Sequence, residues 1–191
     1  MNGHSNIKDV IEDSLINILQ TTKFEKITVT MIAKHAGISN QTFYRYFADK
    51  YDLALKISFE KLSAFASIYG NNSTWKEVSL SIFHSIKNHS LFFKRLIKDP
   101  EGEELILRSL INISNNFTGS PVSRYALAVW KENLEEWCDC GFRTPIDEVY
   151  ERLTRNLPIS DVVTDESQLN DYIKTYGELR MNYFSNNKKR L

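Results

Sequence analysis

Residues 28–50, TVTMIAKHAGISNQTFYRYFADK, decide the fold of this 191-residue chain. Ala33, Gly37 and Phe43 have the spacing of two short helices that cross closely. The alanine is small enough for the crossing, the glycine suits a turn that needs a positive φ, and the phenylalanine fills the space between the helices. The segment is therefore predicted to form two short helices joined by a tight turn, a helix-turn-helix.

The second of these helices, predicted from Asn40 to about Phe47, carries side chains that suit DNA. Amides bond adenine edges, Arg bonds guanine, Thr contacts the thymine methyl, and hydroxyl and ammonium groups contact phosphates. A solvated helix would hold more Glu and Lys and fewer aromatic residues. The sequence therefore predicts DNA contacts from this helix and its borders, by Ser39, Asn40, Gln41, Thr42, Tyr44, Arg45, Tyr46 and Lys50.

Residues 7–57 resemble the TetR family of bacterial transcriptional regulators. The resemblance is strongest in Ala36-Gly37-Ile38-Ser39 followed by Thr42-Phe43-Tyr44-x-Tyr46-Phe47-x-x-Lys50. It implies a homodimer that binds a palindromic double-stranded operator, with a helical C-terminal half that dimerises and senses a small molecule. It also implies phosphate contacts by Thr28, Thr30 and Lys50. Gln41 departs from the family, where many members carry Gly, Pro or Ala, so the operator sequence stays open.

Helical spacing of apolar residues continues through the rest of the chain, which has only seven Gly and four Pro. The predicted fold is all-α with about nine helices. A helix-turn-helix domain of three helices occupies residues 1–50, and a helix over about 50–69 links it to a dimerisation and effector-binding bundle over 51–191. Helices are predicted over residues 6–21, 74–88, 90–98, 101–117, 121–140, 145–156 and 165–184, with Ser120-Pro121 opening the helix over 121–140.

The C-terminal half contains the candidate effector site. Its runs at 90–100 and 133–153 are similar to regulators that resemble dihydroxyacetone-kinase operon regulators. Pockets for small molecules are mostly apolar with a few polar anchors, so Trp130 is the first candidate, with Tyr125 and His84 as polar handles. Simple core packing is the alternative for each aromatic residue.

Two further features of the C-terminal half suggest a metal site and a dimer interface. Cys138 and Cys140, with His84 and His89, invite a metal site. Side chains two residues apart on a helix diverge, which favours small packed residues and no metal. The dimer interface is predicted on the helices over 121–140 and 145–157, or on the helix over 165–184. The reason is that the first helix carries more apolar residues than one face can bury, namely Leu127, Val129, Trp130, Leu134 and Trp137.

Charge and composition limit the classes of function that fit this chain. The chain has 24 basic and 24 acidic residues, but residues 22–50 hold five basic side chains against two acidic ones. That modest excess predicts weak non-specific binding, with affinity from dimerisation and base contacts. No secretory signal, bilayer-length apolar run, cofactor motif or catalytic motif is present, so a cytoplasmic protein without membrane association, cofactor or enzymatic activity is expected.

Three functional hypotheses remain open at this stage. The first is a ligand-responsive repressor. The second is a helical ligand-binding or protein-interaction module whose helix-turn-helix does not bind DNA. The third is a transcriptional activator that works with a co-regulator protein.

Overall fold

The computed structural model describes residues 6–69, 74–117 and 122–157, and these form nine α-helices without a strand. The all-α prediction is confirmed, whereas the helix predicted over 165–184 lies outside the described residues. None of the described helices is long and apolar enough to cross a bilayer. The helices are α1 (Ile7–Leu19), α2 (Val29–His35), α3 (Asn40–Tyr44), α4 (Lys50–Tyr69), α5 (Trp75–Asn88), α6 (Ser90–Ile97), α7 (Pro100–Phe117), α8 (Arg124–Asp139) and α9 (Ile146–Asn156).

Local hydrogen bonds start the helices of the N-terminal region where the sequence predicts. The Thr28 hydroxyl accepts from the Met31 N–H at 3.2 Å, and the Ser39 hydroxyl accepts from the Thr42 N–H at 3.0 Å. At the start of α5, Thr74 and Glu77 form a reciprocal capping box. A 3-10 turn at Phe24–Lys26, which the spacing does not predict, joins α1 to α2.

The predicted start of α8 is wrong. The helix begins at Arg124, because the Ser123 hydroxyl accepts from the Ala126 N–H at 3.0 Å and is the N-cap. Ser120 and Pro121, which were predicted to open this helix, lie outside the described residues. Two serines with equivalent capping chemistry stand three residues apart in the sequence, at 120 and 123, and the local pattern does not choose between them.

Two other boundaries also differ from their predictions. The α3 helix ends at Tyr44, because the chain tightens so that the Tyr46 N–H bonds the Phe43 carbonyl at 2.9 Å. The start of α7 precedes its predicted position at residue 101, because Asp99 caps it: its Oδ1 accepts from the Glu101 and Gly102 N–H groups at 3.1 and 3.0 Å. Pro100 is the first residue of α7, where a proline is tolerated.

The long helix α4 runs from the N-terminal helices into the bundle and packs against α5 and α7. Three polar contacts join the N-terminal helices, α4 and the bundle, each between residues far apart in sequence. Lys56 on α4 pairs with Glu12 on α1 at 3.2 Å. The Tyr51 hydroxyl donates to Glu101 Oε2 at 2.6 Å, and Arg95 Nη2 donates to the Gln20 carbonyl at 3.1 Å. Helices α1 and α4 are thereby joined to α6 and α7.

The apolar excess on α8 is largely absorbed within the chain. Trp130, Leu134 and Trp137 are buried, while Leu127 and Val129 are half-buried. Helix α8 contacts α6, α7 and α9, so more than one of its faces is covered without a second subunit. The apolar residues of α8 therefore give less support to the predicted dimer interface than their spacing indicates. The division into domains at residue 50 stays a prediction.

Candidate nucleic-acid interface

The turn between α2 and α3 sets how the two helices cross. Gly37 has φ +69°, and its N–H bonds the Lys34 carbonyl at 3.3 Å. The Ile38 N–H bonds the Ala33 carbonyl at 2.9 Å. This pair of bonds is the Schellman motif that ends a helix and redirects the chain. Phe43 is fully buried, as its predicted place between the helices requires.

The surface of α2 and α3 brings nearly all the predicted DNA-contact residues together. Tyr44 is 56% exposed, although large aromatic side chains are usually covered in a monomeric protein. Thr42 and Tyr46 are half-buried at its edge. The other exposed members are Thr28, Thr30, Ser39, Asn40, Gln41 and Arg45. We refer to these nine residues as the reading surface.

Some side chains of the reading surface form a hydrogen bond within the protein, and others form none among the described residues. Asn40 Nδ2 donates to Thr30 Oγ1 at 3.0 Å, and the hydroxyls of Ser39 and Thr42 lie 3.0 Å apart. Within the part of the chain that the structure describes, the side chains of Gln41 and Arg45 form no hydrogen bond or ion pair. These two can reorient toward a partner without breaking an internal contact.

Lys50 does not belong to the reading surface, which corrects its prediction as a phosphate contact. Only 9% of the residue is exposed. Its Nζ donates to the carbonyl oxygens of Phe24 and Glu25, at 3.0 and 3.3 Å, and lies over the rings of Phe24 and Tyr51. The 3-10 turn brings those two carbonyls to the start of α4 and captures the ammonium group, an arrangement that helical spacing does not reveal.

One basic residue on this side of the protein is not among the predicted DNA contacts. Lys34 is exposed on α2, four residues after Thr30, and residues at that spacing share a helix face. Because it lies at the last turn of α2, its ammonium group can extend the reading surface toward a phosphate backbone. The i, i+4 spacing from Thr30 indicates in the sequence that Lys34 lies on this surface.

The three candidate effector residues do not meet in one site. Trp130 is 2% exposed and lines an apolar crevice of about 10 Å³, roughly the room that one water needs. Tyr125 is 58% exposed and borders a different, open groove of about 420 Å³ between α8 and α9. His84 is exposed on α5. The predicted effector set stays a prediction, although these three side chains lie on different sides of α5 and α8.

The two cysteines lie in different environments at the end of α8. Burial raises the pKa of the Cys138 thiol, whereas the hydrogen bond with Thr144, at 3.3 Å between Sγ and Oγ1, lowers the pKa of Cys140. Among the described residues, no group of three or more His, Cys, Asp or Glu side chains is placed to hold a metal ion.

Comparison with known proteins identifies what the N-terminal region is similar to. Residues 17–57 match the family model described as bacterial regulatory proteins, tetR family. No curated protein matches the chain in sequence.

Solved structures resemble the fold over most of the chain. The dihydroxyacetone kinase operon activator DhaS superposes with a TM-score of 0.52 at 18% identity, over 78% of this chain and 92% of that one. The fatty acid degradation regulator FadR from Bacillus halodurans gives 0.47 at 18% identity, over 83% and 98%. Thermus thermophilus FadR, in complex with lauroyl-CoA, gives 0.46 at 15% identity, over 83% and 96%. At such identities the likeness to DhaS shows the fold alone.

Proposed function

We propose that the chain is a DNA-binding transcriptional regulator of the tetR family. The match of residues 17–57 to the family model of bacterial regulatory proteins, tetR family, supports the proposal. The observation that carries the proposal is the reading surface. Polar and aromatic side chains are gathered there on two short helices whose crossing is set by Gly37 and by buried Phe43. A second helix presented in this way enters the major groove of DNA.

The active form in this proposal is a homodimer on a palindromic operator. Two copies of α3 then lie about 34–36 Å apart, which is one turn of B-DNA, so that they enter successive major grooves. The chain works in the cytoplasm, where the operator is, and carries out no catalytic step. The subunit contact is expected on α8 and α9 or in the helix predicted over 165–184.

Regulation is proposed to follow from a small-molecule effector that favours a different separation of the two α3 helices. Helix α4 and the contacts of Tyr51 with Glu101 and of Arg95 with Gln20 join the reading surface to the bundle. An effector shifts an equilibrium only by its difference in affinity for the two states. An effector that binds more tightly to the state unsuited to the operator releases the protein from DNA, and the protein is then a repressor. A fall in transcription of the controlled gene on deletion would instead indicate an activator.

The crevice beside Trp130 is the part of the predicted effector site that the proposal keeps. Trp75 also lines it, and the Trp75 indole Nε1 is buried with no acceptor among the described residues. The crevice is too small for an effector as it stands, so binding requires α5 and α8 to separate. The chain has three tryptophans, and two line the crevice, so a change in intrinsic fluorescence on adding a candidate effector is the expected response.

Binding to the DNA that flanks the chain's own gene tests the proposal. Wild type is expected to shift a palindromic duplex as a dimer, and Tyr44→Ala and Arg45→Ala each to weaken that binding by about tenfold or more. Lys87→Ala and Leu91→Ala, at exposed positions outside the reading surface, serve as matched controls and should bind like wild type. If Tyr44→Ala and Arg45→Ala keep the affinity and the salt dependence of wild type, the assigned DNA face is wrong.

A further inference from the structure

One hydrogen bond connects the beginnings of the two helices that carry the reading surface. Thr30 is the second residue of α2 and Asn40 is the first residue of α3. Asn40 Nδ2 donates to Thr30 Oγ1 across a distance of 3.0 Å. Both residues are exposed, so the bond lies on the surface proposed to face DNA rather than in the core.

The bond holds the side chain of Asn40 against Thr30, with Nδ2 toward the hydroxyl. Because Nδ2 is directed to Thr30, the carbonyl oxygen Oδ1 is turned away from it, and Oδ1 has no hydrogen-bond partner among the described residues. A side-chain amide has two N–H donors and one acceptor oxygen. With one donor bonded to Thr30, Asn40 keeps one acceptor and one donor for a partner.

This remaining pair of groups matches one base in the major groove. Adenine offers the N6 amino donor and the N7 acceptor, whereas guanine offers two acceptors. Cytosine offers only a donor, and thymine only an acceptor with a methyl group. Adenine is thus the base that satisfies both free groups of Asn40 at once.

We propose that Thr30 is a positioning residue that fixes the amide of Asn40, so that Asn40 selects an adenine at one position of each operator half-site. This inference rests on the proposed DNA-binding function and deepens it. It gives Thr30 a role in specificity, whereas the family resemblance implies a phosphate contact. A fixed amide has less side-chain freedom to lose on binding, while Gln41 and Arg45 have no such internal partner.

The two roles of Thr30 predict different losses, and substitutions that keep its shape separate them. Thr30→Val keeps the branched side chain and removes the acceptor oxygen, whereas Thr30→Ser retains that oxygen. Wild type is first used to select its preferred duplex from a randomised pool. Affinities of wild type, Thr30→Val, Thr30→Ser and Asn40→Ala are then measured for that duplex and for duplexes altered at each half-site position.

The expected result is a loss confined to one base pair. Asn40→Ala and Thr30→Val should each reduce the preference for adenine at the same position, by about ten- to a hundredfold for Asn40→Ala and by a smaller factor for Thr30→Val. Thr30→Ser should keep the preference of wild type. The double variant should be no less selective than Asn40→Ala alone, because both changes remove one shared interaction.

Three results would overturn the inference. The first is a Thr30→Val variant that loses affinity equally for all duplexes at an unchanged salt slope, which indicates that the neutral hydroxyl contacts a phosphate. The second is a full adenine preference in Thr30→Val, and the third is losses that add in the double variant. Each leaves the proposed function standing, whereas failure of wild type to bind any duplex overturns that function as well. Thermal unfolding of every variant verifies that the helices are intact.

Discussion

Lys50 Nζ donates to the Phe24 carbonyl oxygen at 3.0 Å and also lies 4.8 Å from the centre of the Phe24 ring. The two residues are 26 positions apart, and their contact ties the first turn of α4 to the 3-10 turn that follows α1. A basic residue that the sequence assigns to DNA therefore stabilises the region that presents the reading surface. Its removal is expected to act on folding before it acts on DNA.

Lys50→Met is predicted to lower the free energy of unfolding by about 1.5–3 kcal/mol, the usual contribution of a hydrogen bond to a charged group. Methionine keeps most of the apolar stem and removes the ammonium donor. Urea unfolding followed by circular dichroism measures the change, and Lys87→Met at an exposed site should leave stability nearly unaltered. A Lys50→Met variant of full stability that fails to bind DNA would restore the phosphate-contact prediction.

Gly102→Ala is predicted to destabilise the protein by about 1–3 kcal/mol, although alanine ordinarily strengthens a helix by about 1 kcal/mol. A Cβ at this position would lie 2.7 Å from the Leu96 carbonyl oxygen and 2.8 Å from the Leu96 Cα. Backbone atoms cannot move aside as a flexible side chain can. The experiment compares urea midpoints with those of Asn112→Ala, an exposed position on the same helix, where stability should rise slightly. A gain in stability for Gly102→Ala would contradict the close approach of α6 and α7.

The bond between Tyr51 and Glu101 is predicted to lose its contribution at high pH. The hydrogen bond to the Glu101 carboxylate, followed by burial, raises the pKa of Tyr51 to about 12 from its usual 10. A group whose pKa is raised on folding stabilises fully below its unfolded pKa. The contribution should therefore be constant below about pH 10 and decline as the pH approaches about 12.

The difference in unfolding free energy between wild type and Tyr51→Phe, measured from neutral to alkaline pH, tests this dependence. In a Glu101→Gln background the same difference should lose most of its pH dependence, because the charged acceptor is gone. A difference between wild type and Tyr51→Phe that stays constant through alkaline pH would show that the contact is absent in solution.

Cys140 is predicted to react with thiol reagents in the native protein much faster than Cys138. The thiolate is the reactive form, and the pKa of Cys140 is lowered by its bond with Thr144, whereas burial raises that of Cys138. Reaction with an aromatic disulfide reagent at neutral pH should show one fast thiol per chain. Cys140→Ser should abolish the fast phase and Thr144→Val should slow it. Loss of the fast phase in Cys138→Ser would reverse the assignment.

Much of the N-terminal architecture could be predicted because its signals are local. The hydroxyl caps at Thr28 and Ser39 and the turn at Gly37 depend on bonds that reach no more than five residues along the chain. The donor and the acceptor of such a bond are close enough in sequence to be paired from the residue pattern alone. The same locality applies to the capping box of Thr74 and Glu77, which lies at the predicted start of the helix over 74–88.

The candidate effector site could not be predicted in the same way. Tyr125 and Trp130 are five residues apart on α8, yet one borders an open groove and the other lines a buried crevice. Which side of α8 is covered depends on where α6, α7 and α9 pack. Residue type alone marks both as suitable for a ligand and does not separate them.

The sequence by itself determined the all-α class, the helix-turn-helix and the residue types that suit DNA, because helix periodicity and capping act within a few residues. Only the tertiary structure decided which of those side chains are free to bind. It enclosed the ammonium group of Lys50 between two carbonyl oxygens and two rings, and it joined Asn40 to Thr30. The hydrogen bonds among these contacts bring together groups 10 to 26 residues apart, and such pairs form only when the packed helices place them within hydrogen-bond distance.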